Sequence, residues 1–280
     1  MQDLKGKTAF ITGGASGIGL ALAEALGAQG MNVCISDIES DALTAAVASL
    51  KAKGLIAEGL LVDVTKRTSL QAAARACLAQ FGKVHLLVSS AGVMVTAAFG
   101  ELTPEEWNWL IDVNIKGVVN GVETFVPLML EHGEGGHVVN IASIAGFQAA
   151  PGLEAYSATK AAVIAMSEAW RTQLAGTGVS ASVVCPGHTR TNIATSRRNR
   201  GDEYGGAQSE TALAWSQSKL DSGMAPEIVA ARIVEGVKAD ELHIFTHTDF
   251  RQQVEARLDD ILAAFDRVDV SPVLLEEANA

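Results

Sequence analysis

Residues 8–19 read Thr8-Ala9-Phe10-Ile11-Thr12-Gly13-Gly14-Ala15-Ser16-Gly17-Ile18-Gly19. A short apolar run ends in a cluster of glycines. Beyond it, alanines and leucines recur at three- and four-residue intervals as far as Gly30. The pattern predicts a strand over Thr8–Thr12, a tight turn, and a helix over Gly17–Gly30. A glycine turn can be purely structural, but one placed between a strand and a helix also fits a dinucleotide phosphate site. Gly13 permits the sharp turn, Gly17 lets backbone approach a pyrophosphate, and Gly19 lets helix and strand pack closely. Ser16 and Ile18 share the helix N-terminus, whose free N–H groups favour an anion.

Similar runs follow down the chain. Strands are predicted over Asn32–Ser36, Ile56–Val62, Val84–Ser90, His137–Ala142, Val179–Cys185 and Leu242–Thr246. Helical segments lie between them, including Ser40–Lys53, a segment ending at Phe81 and one starting at Pro226. Alternating strands and helices imply an α/β fold: a Rossmann-type, doubly wound sheet of about seven parallel strands, helices on both faces. Its ligand crevice lies beyond the carboxyl ends of the strands. No linker composition divides the chain, so residues 1–280 are expected to form a single dinucleotide-binding and catalytic domain. Residues 188–223 break the rhythm and form either a lid over the crevice or an ordinary surface loop. In the tail, 249–280, Val254, Leu258, Ile261, Leu262 and Phe265 predict one amphipathic helix.

Composition narrows the function classes. A net charge of −11 offers no basic footprint for nucleic acid. Arg197, Arg198 and Arg200 cluster locally, and read more naturally as a solvated loop than as an anion site. The three cysteines, Cys34, Cys77 and Cys185, have neither CxxC spacing nor a histidine cluster, so no metal site is expected. They read as small core residues of a protein in a reducing compartment. The start, MQDLKGKTAFITGG, has no apolar leader, and no apolar run reaches the roughly 18 residues of a membrane helix. The expectation is a cytoplasmic protein with no membrane partner.

Asp37 closes the second strand. There a carboxylate accepts from both ribose hydroxyls and repels a 2′-phosphate, and Gly14 leaves no basic group in the glycine turn. Together these favour NAD over NADP, although Asp37 also suits a helix cap. Asp63-Val64, after the third strand, suits an adenine contact or a cap equally.

Tyr156 and Lys160 are spaced i, i+4 in AYSATKAAVIAMSEAW and share one helix face. Ser143 follows the fifth strand and reaches the same crevice. A phenol has a reference pKa near about 10, so it needs help to act as a base at neutral pH. A nearby ammonium and an oxidised nicotinamide both favour the phenolate. Lys160 can also hold the nicotinamide ribose, and Ser143 the substrate oxygen. Tyr156 then exchanges the hydroxyl proton while hydride passes to or from the nicotinamide.

These motifs resemble the short-chain dehydrogenase/reductase family in its single-domain form. The resemblance runs from about Lys7 to Phe245 and rests on TGGASGIG at 12–19, DV at 63–64, Asn114, Ser143, Tyr156 with Lys160, and Pro186-Gly187. It implies that Asn114 stabilises a helix irregularity and joins a proton relay to Lys160. It also implies that Pro186, Gly187, Thr189 and Thr191 contact the nicotinamide carboxamide. Ser90, Ala91 and Gly92 match the family's adenosine-ribose turn, but Ser89-Ser90 replaces its usual Asn-Asn. A homotetramer or dimer is implied, paired through helices near 103–130 and 155–176.

Val93, Met94, Val95, Phe147, Leu153 and His188 adjoin the motifs, and Trp215 lies in the lid segment. If they line the substrate site, the substrate is apolar, alicyclic or aromatic; core packing explains the aliphatic ones equally well. The reading is an NAD(H)-dependent oxidoreductase interconverting a secondary alcohol and a ketone. The alternatives are an NAD-using epimerase or dehydratase, or a non-catalytic NAD-binding module.

Overall fold

The computed structural model describes residues 1–207 and 214–274, with the backbone alone over 214–217. Two compact units emerge, Met1–Thr246 and His247–Ala280. In the first, seven strands form one sheet in the order β3-β2-β1-β4-β5-β6-β7, and every pairing is parallel. The strands are β1 (Thr8–Thr12), β2 (Asn32–Asp37), β3 (Ala57–Leu61), β4 (Leu86–Ser89), β5 (Gly136–Ile141), β6 (Val179–Cys185) and β7 (His243–Phe245). Strands β1, β4 and β5 are buried along their whole length, so helices must cover both faces.

Two hydrophobic clusters supply that cover. One packs α1 (Gly17–Ala28), α2 (Ser40–Ala52) and α8 (Pro226–Ala239) on one face through Leu22, Leu26, Leu50 and Ile233. The other packs α3 (Arg67–Phe81), α5 (Gly117–His132) and α6 (Glu154–Gln173) through Leu70, Phe125 and Val163. Phe10 and Phe125 meet at 4.3 Å between ring centroids, joining sheet to helix. All three cysteines are buried. Strand order reverses between β1 and β4, and a crevice opens there beyond the strand ends.

Most expected elements shorten or shift by one to three residues. The helix expected near 103–130 is broken: α4 (Pro104–Ile111) passes into a π-helical turn, Asp112–Lys116, before α5. Thr103 caps α4 with a reciprocal capping box to Glu106, and Pro104 occupies its first turn. The 188–223 segment contains 3-10 turns at Asn192–Asn199 and Asp202–Tyr204, then α7 (Ala214–Asp221). Its ends meet: Thr189 bridges Met224, and Met224 N–H donates to the His188 carbonyl at 2.9 Å. The segment is therefore a closed excursion from one point of the fold. The Trp215 side chain lies outside the described residues.

The second unit contains α9 (Arg251–Asp269). It is the amphipathic helix expected of the tail, and Leu258, Ile261, Leu262 and Phe265 are exposed. Among the described residues, no helix is long and apolar enough to cross a membrane.

Candidate active site

A cleft of about 310 Å³ runs along the carboxyl ends of the strands. Gly13, Ser16, Gly17, Ile18, Asp37, Asp63, Val64, Ser90, Ala91 and Gly92 line one half. Ser143, Tyr156, Lys160, Pro186, Gly187, His188, Thr189 and Thr191 line the other. Residues expected to bind a cofactor and residues expected to do chemistry thus share one cavity.

The glycine turn is built for close approach. Gly13 has a left-handed φ of +62°, and a Cβ there would stand 2.7 Å from the Ala91 backbone. Gly19 does not line the cleft; its missing Cβ leaves room for the Gly13 carbonyl, 2.1 Å from where that atom would be. Ser16 starts α1 without a side-chain cap, and the first turn carries no acid. The N–H groups at that helix end stay available to an anion, so the turn fits a dinucleotide pyrophosphate.

Asp37 does not cap α2, whose N-cap is Glu39 with no side-chain cap bond. It lines the cleft, yet one carboxylate oxygen accepts from Ala15 N–H at 3.1 Å. The other accepts from Ile38 and Glu39 N–H at 2.8 and 3.2 Å. The carboxylate braces the glycine turn while presenting its charge to the cavity. Asp63 likewise does not cap the next helix, whose N-cap is Lys66; it lines the cleft and accepts from Thr65 N–H at 3.0 Å. Burial pushes its pKa up, but hydrogen bonds from Thr65 and Lys66 outweigh that and hold the carboxyl below its usual range.

The turn after β4, where Ser89-Ser90 stands, is braced from β1. Ser90 and Ala91 N–H both donate to the Thr12 hydroxyl, at 3.1 and 3.2 Å. The buried Ser89 hydroxyl has no partner.

Asn114 stands in the π-helical turn, fully buried. Its side chain accepts from Val93 N–H at 2.8 Å and donates to the Val93 carbonyl at 2.9 Å and the Thr159 hydroxyl at 3.1 Å. It lies behind the cleft wall rather than in it. The extra residue of the π turn matches the expected helix irregularity.

Tyr156 and Lys160 project from the first turns of α6. The Lys160 amine stands 5.5 Å over the Tyr156 ring centroid and donates to the Ile141 carbonyl at 2.9 Å. Burial pushes the Tyr156 phenol up to about 12, opposed by a hydrogen bond with Ser143. Burial also lowers Lys160, to about 8. In the protein alone, then, desolvation outweighs the help expected from the ammonium, and the phenol is protonated at neutral pH. The Ser143 hydroxyl also accepts from Ala145 N–H at 3.1 Å, which fixes its position beside the phenol.

Two expected substrate residues are placed elsewhere. Val95 is buried in a core cluster with Val93, Trp109 and Leu110. Phe147 faces the sheet edge, with its ring 5.6 Å from that of Phe245 and 6.2 Å from that of His243. Ile144 and Ala145 of the 3-10 turn after Ser143 still line the cavity, and the chain leaves it beyond them. Leu153, Met94, Val93 and His188 do line it, as do Ile193 and Leu220, which composition did not single out.

The arginine cluster is also corrected. Arg200 is buried and pairs with buried Glu106 at 3.1 Å, and Arg197 joins the same carboxylate at 2.8 Å. Arg198 pairs with Glu39 at 2.7 Å. All three cations are thus tied to carboxylates, Arg200 in the interior and Arg198 at the surface. Three basic residues in four positions of an acidic chain were the one sequence signal, and their partners lie far away in sequence.

His85, His132 and Glu134 also cluster, at the opposite end of the sheet. There His132 gives one ring nitrogen to the Val84 carbonyl and accepts Glu134 N–H at the other. His85 accepts Thr8 N–H. Too few free lone pairs remain for a metal.

The parallel sheet thus brings a glycine turn and a Ser-Tyr-Lys set to one crevice, with Asn114 behind its wall. The chain belongs to the short-chain dehydrogenase family, whose model matches residues 7–202. It is 35% identical to a C alpha-dehydrogenase of Sphingobium over 94% of this chain and 87% of that protein. It is 34% identical to 3beta-hydroxysteroid dehydrogenase 2 of Eggerthella lenta, over 81% of this chain and 86% of that one. Among solved structures, a short-chain dehydrogenase/reductase from Burkholderia phymatum in complex with NAD superposes with a TM-score of 0.91. That likeness is at 35% identity and covers 94% of this chain and 97% of that one.

Proposed function

We propose that the protein is an NAD-dependent dehydrogenase/reductase that interconverts a secondary alcohol and a ketone, with Tyr156 as the proton-transfer group. The observation that carries this reading is that Ser143, Tyr156 and Lys160 face the same cleft as the glycine turn. Bound NAD supplies the hydride acceptor, and its reduced form the donor.

The protein's own residues do the rest. The α1 N-terminus holds the anionic bridge, and Asp37 presents a negative charge where a 2′-phosphate would come, which favours NAD over NADP. Ser143 orients the substrate oxygen toward the phenol. Tyr156 takes the hydroxyl proton in oxidation and returns it in reduction. Lys160 supplies a cation behind the ring and would donate to the ribose of a bound cofactor, whose oxidised ring would favour the phenolate. Asn114, through Val93 and Thr159, keeps the cleft wall in register with α6.

The reaction end is lined by Val93, Met94, Leu153, Ile193 and Leu220. That lining suits a bulky apolar substrate, aromatic or alicyclic. A relative named for a steroid substrate supports the same class. A panel of secondary alcohols and ketones, assayed with NAD and NADP in both directions, tests the reading. Turnover of bulky aryl or alicyclic alcohols with NAD is expected. Turnover confined to NADP, or to small polar alcohols, would overturn the assigned cofactor or substrate class.

A further inference from the structure

We propose that Arg198 and Glu39 are a positioning pair that fastens residues 192–206 across the adenosine half of the cleft, so that cofactor leaves only when the pair opens. The inference rests on the proposed NAD site and goes beyond it by assigning what holds the cofactor in.

The two residues are 159 positions apart. Glu39 directly precedes α2, two residues after Asp37, and both line the cleft with Arg198 and Asn199. Arg198 donates to the Glu39 carboxylate through Nε at 3.2 Å and through a terminal nitrogen at 2.7 Å. Asn199 adds a third donor to the same carboxylate at 2.8 Å. The remaining Arg198 nitrogen donates within its own segment, to the Asn192 and Thr195 carbonyls and the Thr195 hydroxyl. One guanidinium therefore fixes both the shape of the 192–199 turn and its attachment to the far wall. With its donors so committed, it is not left to recruit a phosphate.

The segment is anchored on the opposite wall as well. Arg200 and Arg197 grip Glu106 on α4, and the Tyr204 hydroxyl donates to Asp112 at 2.7 Å. The span between Glu39 and Asp112 passes over the crevice between the ends of β2 and β4, where an adenosine would lie. The two anchors differ in strength. Glu106 and Arg200 are buried, with side chains 6% and 4% exposed, whereas Glu39 and Arg198 are 31% and 37% exposed. A partly wet pair is screened by salt and opens more readily than a buried one. The Glu39 side is the hinge's free edge and the Glu106 side its fixed one.

The test is release of bound NADH, followed by its fluorescence after a chase of excess NAD, in wild type, Glu39→Gln, Arg198→Met and the double variant. Release is expected to accelerate about fivefold in either single variant and no further in the double. Added salt should speed release from wild type but not from the variants. Thermal midpoints without cofactor separate this role from a structural one, which would lower them and leave release unchanged. If NADH binds wild type and all four proteins release it at one rate, the positioning role is overturned. If NADH does not bind wild type at all, the proposed function itself fails.

Discussion

The side-chain amide of Asn114 lies along the backbone of Val93, accepting from its N–H at 2.8 Å and donating to its carbonyl at 2.9 Å. An amide placed this way acts as a one-residue strand partner. It extends order beyond the end of β4 to the cleft wall, and the π-helical turn is what allows a helix side chain to reach it. Through Thr159 it is tied to the helix that carries Tyr156 and Lys160.

Asn114→Ala leaves two buried backbone groups of Val93 unpartnered. The expected cost is about 1–3 kcal/mol of stability by urea unfolding, with reduced turnover and little change in NADH affinity. Asn114→Asp keeps the acceptor but sets a buried carboxylate against the Val93 carbonyl, and is expected to cost at least as much as alanine. An alanine variant as stable and active as wild type would remove Asn114 from the account.

Asp37 braces the glycine turn, the proposed function also gives the same carboxylate the discrimination between NAD and NADP, and two variants separate the roles. Asp37→Asn keeps one acceptor oxygen but sets an NH2 donor against backbone N–H on the other side, and is expected to hold the turn only in part while narrowing the NAD-to-NADP ratio of kcat/KM. Asp37→Ala is expected to narrow the same ratio and also to lower the thermal midpoint, because Ala15, Ile38 and Glu39 N–H lose their acceptor. An unchanged ratio in both would refute the discriminating role.

The phenol of Tyr156, raised to about 12 by burial, sets the sign of the pH dependence. Oxidation needs the deprotonated phenol, so kcat/KM for an alcohol with NAD should climb with pH between about 6 and 9. Reduction needs the protonated phenol, which predominates throughout that range, and should stay level there while oxidation rises. Lys160 works in the opposite sense on stability. Its pKa is lowered to about 8 from an unfolded value of 10.5. The folded protein therefore disfavours the charged amine, and stability falls as pH drops from 10.5 through 8, then levels off. Parallel profiles for the two reaction directions would contradict the acid/base assignment.

Glu106 neutralises two arginines while capping α4. Removing it by Glu106→Ala strands the buried Arg200 charge, and a loss of about 3–5 kcal/mol is expected by denaturant unfolding. Glu105→Ala, at an exposed neighbour, should change stability little. Equal effects of the two would show that the buried pair contributes nothing special.

Much of this was legible in the sequence because it is local. Strands buried on both faces read as uninterrupted apolar runs, and a strand, a glycine turn and a helix in succession point to β1 and α1. Tyr156 and Lys160 share a face by helix spacing alone. What was hidden depends on distance or on small changes of path. Periodicity could not show the π turn at Asp112–Lys116, since one extra residue hardly alters an apolar pattern. Phe147 follows Ser143 closely in sequence, but a single 3-10 turn sends it to the β7 edge. Arg198 looks like a solvated loop residue until the fold brings Glu39 beside it.

The central claim is that Tyr156 moves the proton in an NAD-linked oxidation, and its most direct test is turnover by Tyr156→Phe alongside NADH binding. The account predicts unchanged NADH affinity and alcohol oxidation slowed by at least about 100-fold. Near wild-type turnover in a variant that still binds NADH would contradict it.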